Sequence, residues 1–98
     1  MNQVALDAAI AEAAPLRYTP AGLPALDLRL EHESQVVEAG QPRQVKAAVK
    51  AVAIGSVAET LVRQPIGSHW AFTGFLATPR NGKHPVLHIQ SFEPVQRS

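Results

Sequence analysis

The sequence contains no cysteine, so two common ways of stabilising a small chain are closed to it. It can form neither a disulfide framework nor a zinc site with thiolate ligands. It also lacks a run of about 18 apolar residues, the length of a membrane-spanning helix, and it has no basic segment followed by an apolar run at its N-terminus. We therefore expect a soluble, cytoplasmic protein, independent of membranes, whose hydrophobic core alone holds the fold.

The chain is also short, with 98 residues of which 46% are hydrophobic and 17% charged. This is the composition of one ordinary globular domain, and we expect a single domain over residues 1–98. A domain of this size buries a limited fraction of its surface. Association into a homodimer would bury more of it and help to stabilise the fold.

Patterns typical of catalytic and metal sites are missing. The sequence has no nucleophile elbow and no phosphate-binding glycine loop. His84 and His88 are four residues apart, a spacing that aligns metal ligands on a helix but not in the turn and strand predicted there. We expect the four histidines to be structural or surface residues, and the protein to be a non-enzyme without cofactor or metal.

Charge is unevenly distributed, although the net charge is only +1. Up to Glu38 there are two basic and six acidic residues, a net charge of −4. The remainder, which includes Arg97, has seven basic and two acidic residues, a net charge of +5. A positive surface built from this second half would attract phosphate groups.

Alternating apolar and polar residues predict β-strands. The clearest strand covers residues 25–34, where Leu26, Leu28 and Leu30 alternate with charged residues. Three more strands are predicted at residues 43–54, 68–78 and 86–92, and residues 2–13 form either a helix or a first strand. Turn-forming residues separate these segments at positions 20–22, 38–42 and 79–85.

A short helix is predicted over residues 56–63, between the third and fourth strands, with Ser56 as its N-cap. Gly74 lies inside the fourth strand, where a glycine permits the bulge that lets a strand curl around a barrel. The order of elements is that of the OB-fold, a five-stranded, partly open barrel. We therefore predict an all-β fold, a five-stranded OB-fold barrel with a short helix between strands 3 and 4.

Basic residues fall where OB-folds bind oligonucleotides, on the second and third strands and on the loop between strands four and five. Alternation along the third strand places Lys46 and Lys50 on one face. The full set on this strand and loop is Arg43, Lys46, Lys50, Arg80 and Lys83. The alternative is that a half-exposed strand carries lysines for solubility alone.

Aromatic residues, which would stack on bases, make up only 5% of the chain. Tyr18, in the loop joining the first two strands, is the best placed to stack on a base. We expect Phe72, Phe75 and Phe92 in the core. Trp70 and Phe72 share a face of the fourth strand, so at least one of Trp70 and Phe75 should point outwards.

A set of short matches along almost the whole chain resembles the primosomal replication protein N (PriB) family, with a more distant likeness to bacterial single-strand-binding protein. The matches follow one another in the same order and with nearly the same spacing: Pro15-Leu16-Arg17, Pro20-Ala21-Gly22-Leu23-Pro24, Leu30-Glu31-His32, Glu38-Ala39-Gly40, Arg43-Gln44, Gly74-Phe75, Asn81-Gly82 and Val86-Leu87-His88.

This resemblance implies a homodimer of OB-folds that binds single-stranded DNA and helps to reload the replicative helicase at stalled forks, with no catalytic role. It implies the primosomal helicase PriA as a partner and, in some bacteria, the loader-recruiting protein DnaT. The sequence departs from the enterobacterial pattern, in which aromatic residues stand at the positions of Gln41 and Lys46 and a basic residue at that of Glu33. Fewer stacking and phosphate contacts predict modest, salt-sensitive DNA binding.

Two hypotheses follow. In the first, the protein holds single-stranded DNA without sequence specificity as an accessory factor of replication restart, using Arg17, Tyr18, Arg43, Lys46, Lys50, Arg80 and Lys83. In the second, it is an adaptor that stimulates the helicase and binds DNA only residually. The acidic side chains of Asp27, Glu31 and Glu33 favour the second, because carboxylates repel phosphate but attract a basic partner.

Overall fold

The computed structural model describes residues 1–95, and these form strands joined by short turns and one short helix. The elements are β1 (Val4–Ala13), β2 (Arg17–Tyr18), β3 (Pro24–Glu38), β4 (Gln41–Ile54), α1 (Ser56–Leu61), β5 (His69–Ala77) and β6 (Val86–Glu93). The five predicted strands correspond to β1, β3, β4, β5 and β6. Residues 2–13, which the sequence left as helix or strand, contain a strand. Arg97, counted above among the basic residues, lies outside the described residues.

The sheet closes on itself through β1. Its order is β1-β5-β6-β4-β3-β2, and β1 pairs with β3 as well as with β5. The two-residue β2 is an addition at the edge of β3, so the closed barrel consists of the five longer strands. β4 and β6 run parallel, and the other pairs are antiparallel. The all-β prediction of a five-stranded OB-fold barrel is confirmed.

The core is entirely apolar in the described part of the chain. Leu26, Leu28 and Leu30 point inwards as predicted, and they pack with Ile10, Phe72, Leu87 and Ile89 from the other strands. The helix α1 adds Ala58 and Leu61, which are buried against these side chains. Within residues 1–95 no helix has the length and apolarity needed to cross a bilayer.

The helix begins at Ser56, the first residue of the predicted range, and ends at Leu61, two residues before the predicted end. Gly55, not Ser56, is the N-cap, and no side chain caps the helix. Gly55 has a φ of 92°, a conformation that glycine adopts without strain, and its carbonyl accepts a hydrogen bond from the Ala58 amide at 3.0 Å. Ser56 as an N-cap was therefore wrong, because the chain needs a left-handed residue to leave β4.

The hairpin of β3 and β4 is longer than predicted and projects beyond the barrel. The two strands pair as far as Glu38 and Gln41, whereas β1 stops pairing with β3 at Glu31. Ala39 and Gly40, with φ of 53° and 76°, make a two-residue turn. The predicted loop over residues 38–42 is thus a tight turn. We call residues 32–47, the part of the hairpin past the barrel, the arm.

His32 anchors the base of the arm. Its Nδ1 lies 2.6 Å from the carbonyl oxygen of Asp7 on β1, and its Nε2 lies 2.7 Å from the hydroxyl of Ser34. Because a carbonyl only accepts hydrogen bonds, Nδ1 donates to Asp7, and in the neutral ring Nε2 then accepts from Ser34. This histidine has the structural role expected from the sequence.

Gly74 marks a β-bulge, as predicted. The pairing register of β5 and β6 shifts between Thr73 and Gly74. A Cβ atom at Gly74 would lie 1.8 Å from the carbonyl oxygen of His88. The two backbones approach this closely only because position 74 has no side chain.

We expect Gly74→Ala to lower the free energy of unfolding by about 2–3 kcal/mol or more, because the new methyl group meets backbone that cannot move aside. Urea denaturation followed by the fluorescence of Trp70 measures this. Gly82→Ala is the control, since a Cβ there meets only the Pro79 side chain at 3.2 Å or more. Equal midpoints for the two variants would contradict this account of the bulge.

Candidate nucleic-acid interface

The outer surface of β3 and β4 carries Lys46 and Lys50. Residues of a strand alternate between the two faces of a sheet, and in β3 and β4 the leucines of β3 and Ala51 face the core. Lys46 lies opposite Glu33, and Lys50 lies opposite Arg29. Both lysines are exposed on the same outer face.

Arg43 does not join them. It is an odd number of positions from both lysines, so alternation turns it to the opposite face, where it pairs with Glu38 in a salt bridge. The sequence placed Arg43 on the correct strand. It gave no sign of the carboxylate that meets it across the hairpin turn.

Arg17 is also paired with a carboxylate. Its Nε lies 2.6 Å from Oδ2 of Asp27, and a second nitrogen lies 3.1 Å from Oδ1. This hydrogen bond holds the pKa of Asp27 below its ordinary value and raises the pKa of Arg17. Tyr18, the second residue of β2, is 67% exposed and lies opposite Pro24, the first residue of β3.

The outer face of β3 and β4 is balanced in charge. It carries the three carboxylates of Asp27, Glu31 and Glu33 and the three cations of Arg29, Lys46 and Lys50. Arg29 contacts Glu12 at 3.0 Å and Glu31 at 3.6 Å. Lys46 therefore lies beside an acidic group, whereas Lys50 lies beside another cation.

The loop that carries the remaining predicted cations enters β6 near the Lys50 end of this face. Lys50, Arg29 and Val86 line one shallow groove together with the carboxylates of Glu12 and Asp27, and Val86 is the residue at which the β5–β6 loop enters β6. That loop carries Arg80 and Lys83, both exposed, around a turn in which the Gly82 amide donates to the Pro79 carbonyl at 3.0 Å. Among residues 1–95, no carboxylate lies within salt-bridge distance of Lys50, Arg80 or Lys83.

Phe75 was expected in the core, and this prediction was wrong. Alternation from the buried Phe72 turns Phe75 outwards, where its ring stacks on that of His88 with centroids 4.9 Å apart and planes 11° from parallel. Trp70 faces the other way and packs edge-on against Phe92 at 5.0 Å. The expectation that one of Trp70 and Phe75 points outwards is thus confirmed for Phe75.

The Phe75–His88 pair lies on the strands next to the Lys50 end of this face. Val52 of β4 lies opposite His88 of β6, which lies opposite Phe75 of β5. Lys50 precedes Val52 by two positions on the same face of β4. Sequence analysis missed this arrangement because it depends on the register between β5 and β6, although alternation from Phe72 already indicated the direction of Phe75.

A metal centre finds no support in the described residues. Nowhere in positions 1–95 do three or more histidine or carboxylate side chains come together closely enough to hold an ion. The chemistry of the surface is therefore that of side-chain cations, carboxylates and stacked rings.

Comparison with known proteins shows which family the chain resembles. Residues 2–91 match a family model described as "another single-strand binding protein family". The replication restart protein PriB of Bordetella pertussis is 48% identical over 99 residues, covering 100% of this chain and 92% of that protein. The crystal structure of PriB from Ralstonia solanacearum superimposes with a TM-score of 0.88 at 35% identity, covering 98% of this chain and 99% of the other. The single-stranded DNA binding protein of Thermus aquaticus superimposes with a TM-score of 0.77 at 25% identity, and the match covers 98% of this chain and 50% of that protein.

The Arg17–Asp27 pair predicts a small pH dependence of stability. Because folding lowers the pKa of Asp27, the pair stabilises the folded state at neutral pH, and the stabilisation is lost as pH falls through the folded-state pKa. Both side chains are about half exposed, so we expect only about 0.5 kcal/mol at pH 7. Urea midpoints below about pH 4 should fall less steeply for Asp27→Asn than for the unmodified protein.

Arg17→Ala is the matched variant, because it removes the same pair from the other side and leaves the carboxylate in place. Below about pH 4, the urea midpoint of Arg17→Ala should also fall less steeply than that of the unmodified protein. If the urea midpoint of Asp27→Asn falls as steeply below about pH 4 as that of the unmodified protein, the ion pair adds nothing to stability.

Proposed function

Since the chain belongs to the single-strand binding protein family, among the replication restart proteins PriB, we propose that it binds single-stranded DNA as a non-enzymatic accessory protein of replication restart. We further propose that residues 1–98 act as one OB-fold domain. The proposal concerns the outer face of the barrel, where OB-folds bind oligonucleotides.

The observation that carries this proposal is the group of cations at one end of that face. Lys50, Arg80 and Lys83 have no carboxylate within salt-bridge distance in residues 1–95. Side chains of this kind release counterions from DNA when they neutralise phosphates. We call this group the basic end.

The other four predicted residues are given smaller roles. Arg17 and Arg43 already neutralise carboxylates, so a phosphate gains less from them. Lys46 lies opposite Glu33, whose charge opposes DNA. Tyr18 is exposed enough to stack on a base. Its neighbour Arg17 already pairs with Asp27, however, and so adds little attraction for the phosphate of that nucleotide.

Binding through phosphates and ring faces is independent of base sequence, because every nucleotide offers both. We therefore propose non-specific binding of modest affinity. The β3–β4 face is neutral with Lys50 included, and the loop adds Arg80 and Lys83, so the affinity should fall as salt rises and should be well below that of a surface with many free lysines.

An adaptor role is a second candidate, and the acidic half of the β3–β4 face favours it. Glu33 lies at the base of the arm and Glu31 directly precedes the arm, where they would repel DNA but attract a basic partner. The helicase PriA is the proposed partner, with DnaT as a further one. Both roles can coexist, since the two charged regions lie at different ends of one face.

Homodimer formation is also proposed. The arm is a two-stranded ribbon whose β3 edge, over residues 32–38, has no neighbouring strand in the described chain. An unpaired edge of this kind is unusual in a monomer, because it offers backbone hydrogen bonds to any passing strand. A second copy would cover it.

We expect Lys50→Gln to weaken the binding of a labelled oligothymidylate and to lower the slope of log affinity against log salt by about 0.7, the value for one lost phosphate contact. Fluorescence anisotropy at several salt concentrations measures both quantities. Arg43→Gln removes the same charge from the same strand but from the opposite face. It should change the affinity by less than about twofold and leave the slope unchanged.

Equal effects of the two substitutions would show that DNA contacts both faces of the strand. If the unmodified protein binds no oligothymidylate at low salt, the DNA-holding proposal fails. The adaptor role would then be tested directly, by measuring stimulation of PriA unwinding in the presence of Glu31→Gln and Glu33→Gln variants.

A further inference from the structure

We propose that the stacked rings of Phe75 and His88 form a platform on which one nucleobase of the bound strand stacks. This inference rests on the proposed function, and it adds a base-binding subsite to a surface that otherwise offers only charges. Neither residue was among those predicted from the sequence to contact DNA.

The two rings are already ordered as a stack. They lie on neighbouring strands, 4.9 Å apart and 11° from parallel, and both are half buried. His88 stands between Phe75 and Val52, and its neighbours Leu87 and Ile89 are anchored in the core. A base can join as a further ring without first ordering the side chains, which keeps the entropic cost of binding low.

Space for a ring exists beside the platform. An open recess of about 350 Å³ is lined by Phe75, His88, Val52 and Ile54, together with the polar side chains of Ser56 and Gln90. This volume is at the lower end of the range for ligand sites, about 300–1,000 Å³, and suits one ring system. A hydroxyl and an amide each donate and accept hydrogen bonds, so they can meet the edge of any base.

The platform lies where phosphates would be held. Lys50 is two positions from Val52 on the outer face of β4, and the loop bearing Arg80 and Lys83 connects the two strands that carry the rings. Of the other aromatic residues, Phe72 is in the core and Trp70 and Phe92 pack against it. Tyr18 lies on β2, whereas the Phe75–His88 pair lies on the two strands that the loop bearing Arg80 and Lys83 connects.

The test compares an oligothymidylate with an abasic oligonucleotide of the same length, whose phosphates are present but whose bases are not. We expect the unmodified protein to bind oligothymidylate at least about tenfold more tightly. Phe75→Leu should lower the affinity for oligothymidylate by about tenfold and leave both the affinity for the abasic strand and the salt slope unchanged.

Phe75→Tyr keeps a ring at this position and should retain most of the affinity. His88→Leu removes the other half of the stack and serves as a second variant if Phe75→Leu fails to fold, which the urea midpoint reports. If Phe75→Leu and His88→Leu both bind oligothymidylate as tightly as the unmodified protein, the platform is overturned while DNA binding stands. If the unmodified protein binds neither oligonucleotide, it is the proposed function that fails.

Discussion

Closure of the barrel through β1 is the constraint on which the rest of the structure depends. Because β1 pairs with both β3 and β5, every residue of the five long strands faces either a filled core or the solvent. The β-bulge opposite Gly74, where β6 has the extra residue Gln90, requires the close approach of the Gly74 backbone to the His88 carbonyl. The same alternation that buries Phe72 presents Phe75 to the solvent beside His88.

Charge is unevenly distributed over the outer surface of the barrel. Carboxylates and cations cancel on β3 and β4, so this face by itself does not draw a polyanion. The loop after β5 adds Arg80 and Lys83, and it connects the two strands that carry the stacked rings. In the proposed account, steering by this loop and Lys50 is followed by stacking on a preformed platform, which requires few basic residues. In the adaptor proposal, Glu31 and Glu33 meet a basic protein partner.

Local pattern predicted much of this fold. The alternation of Leu26, Leu28 and Leu30, the positions of the turns and the bulge at Gly74 all depend on neighbouring residues and were readable from the sequence. The contacts that the sequence did not predict join residues that are far apart in the chain. The pairing of Arg17 with Asp27 and of Arg43 with Glu38, and the meeting of Phe75 with His88, are set by cross-strand register, which no local pattern encodes. Ser56 was mistaken for the helix cap because the left-handed turn at Gly55 is required by the exit from β4.

The central claim is that DNA contacts the barrel at the basic end and the ring platform rather than along the arm. Titration of the ¹⁵N-labelled protein with oligothymidylate, followed by amide chemical shifts, tests it most directly. The account predicts the largest shifts at Lys50, Val52, Phe75, His88 and the loop 78–85, with small ones over residues 36–43. Shifts centred on the tip of the arm, with none at Phe75 or His88, would contradict it.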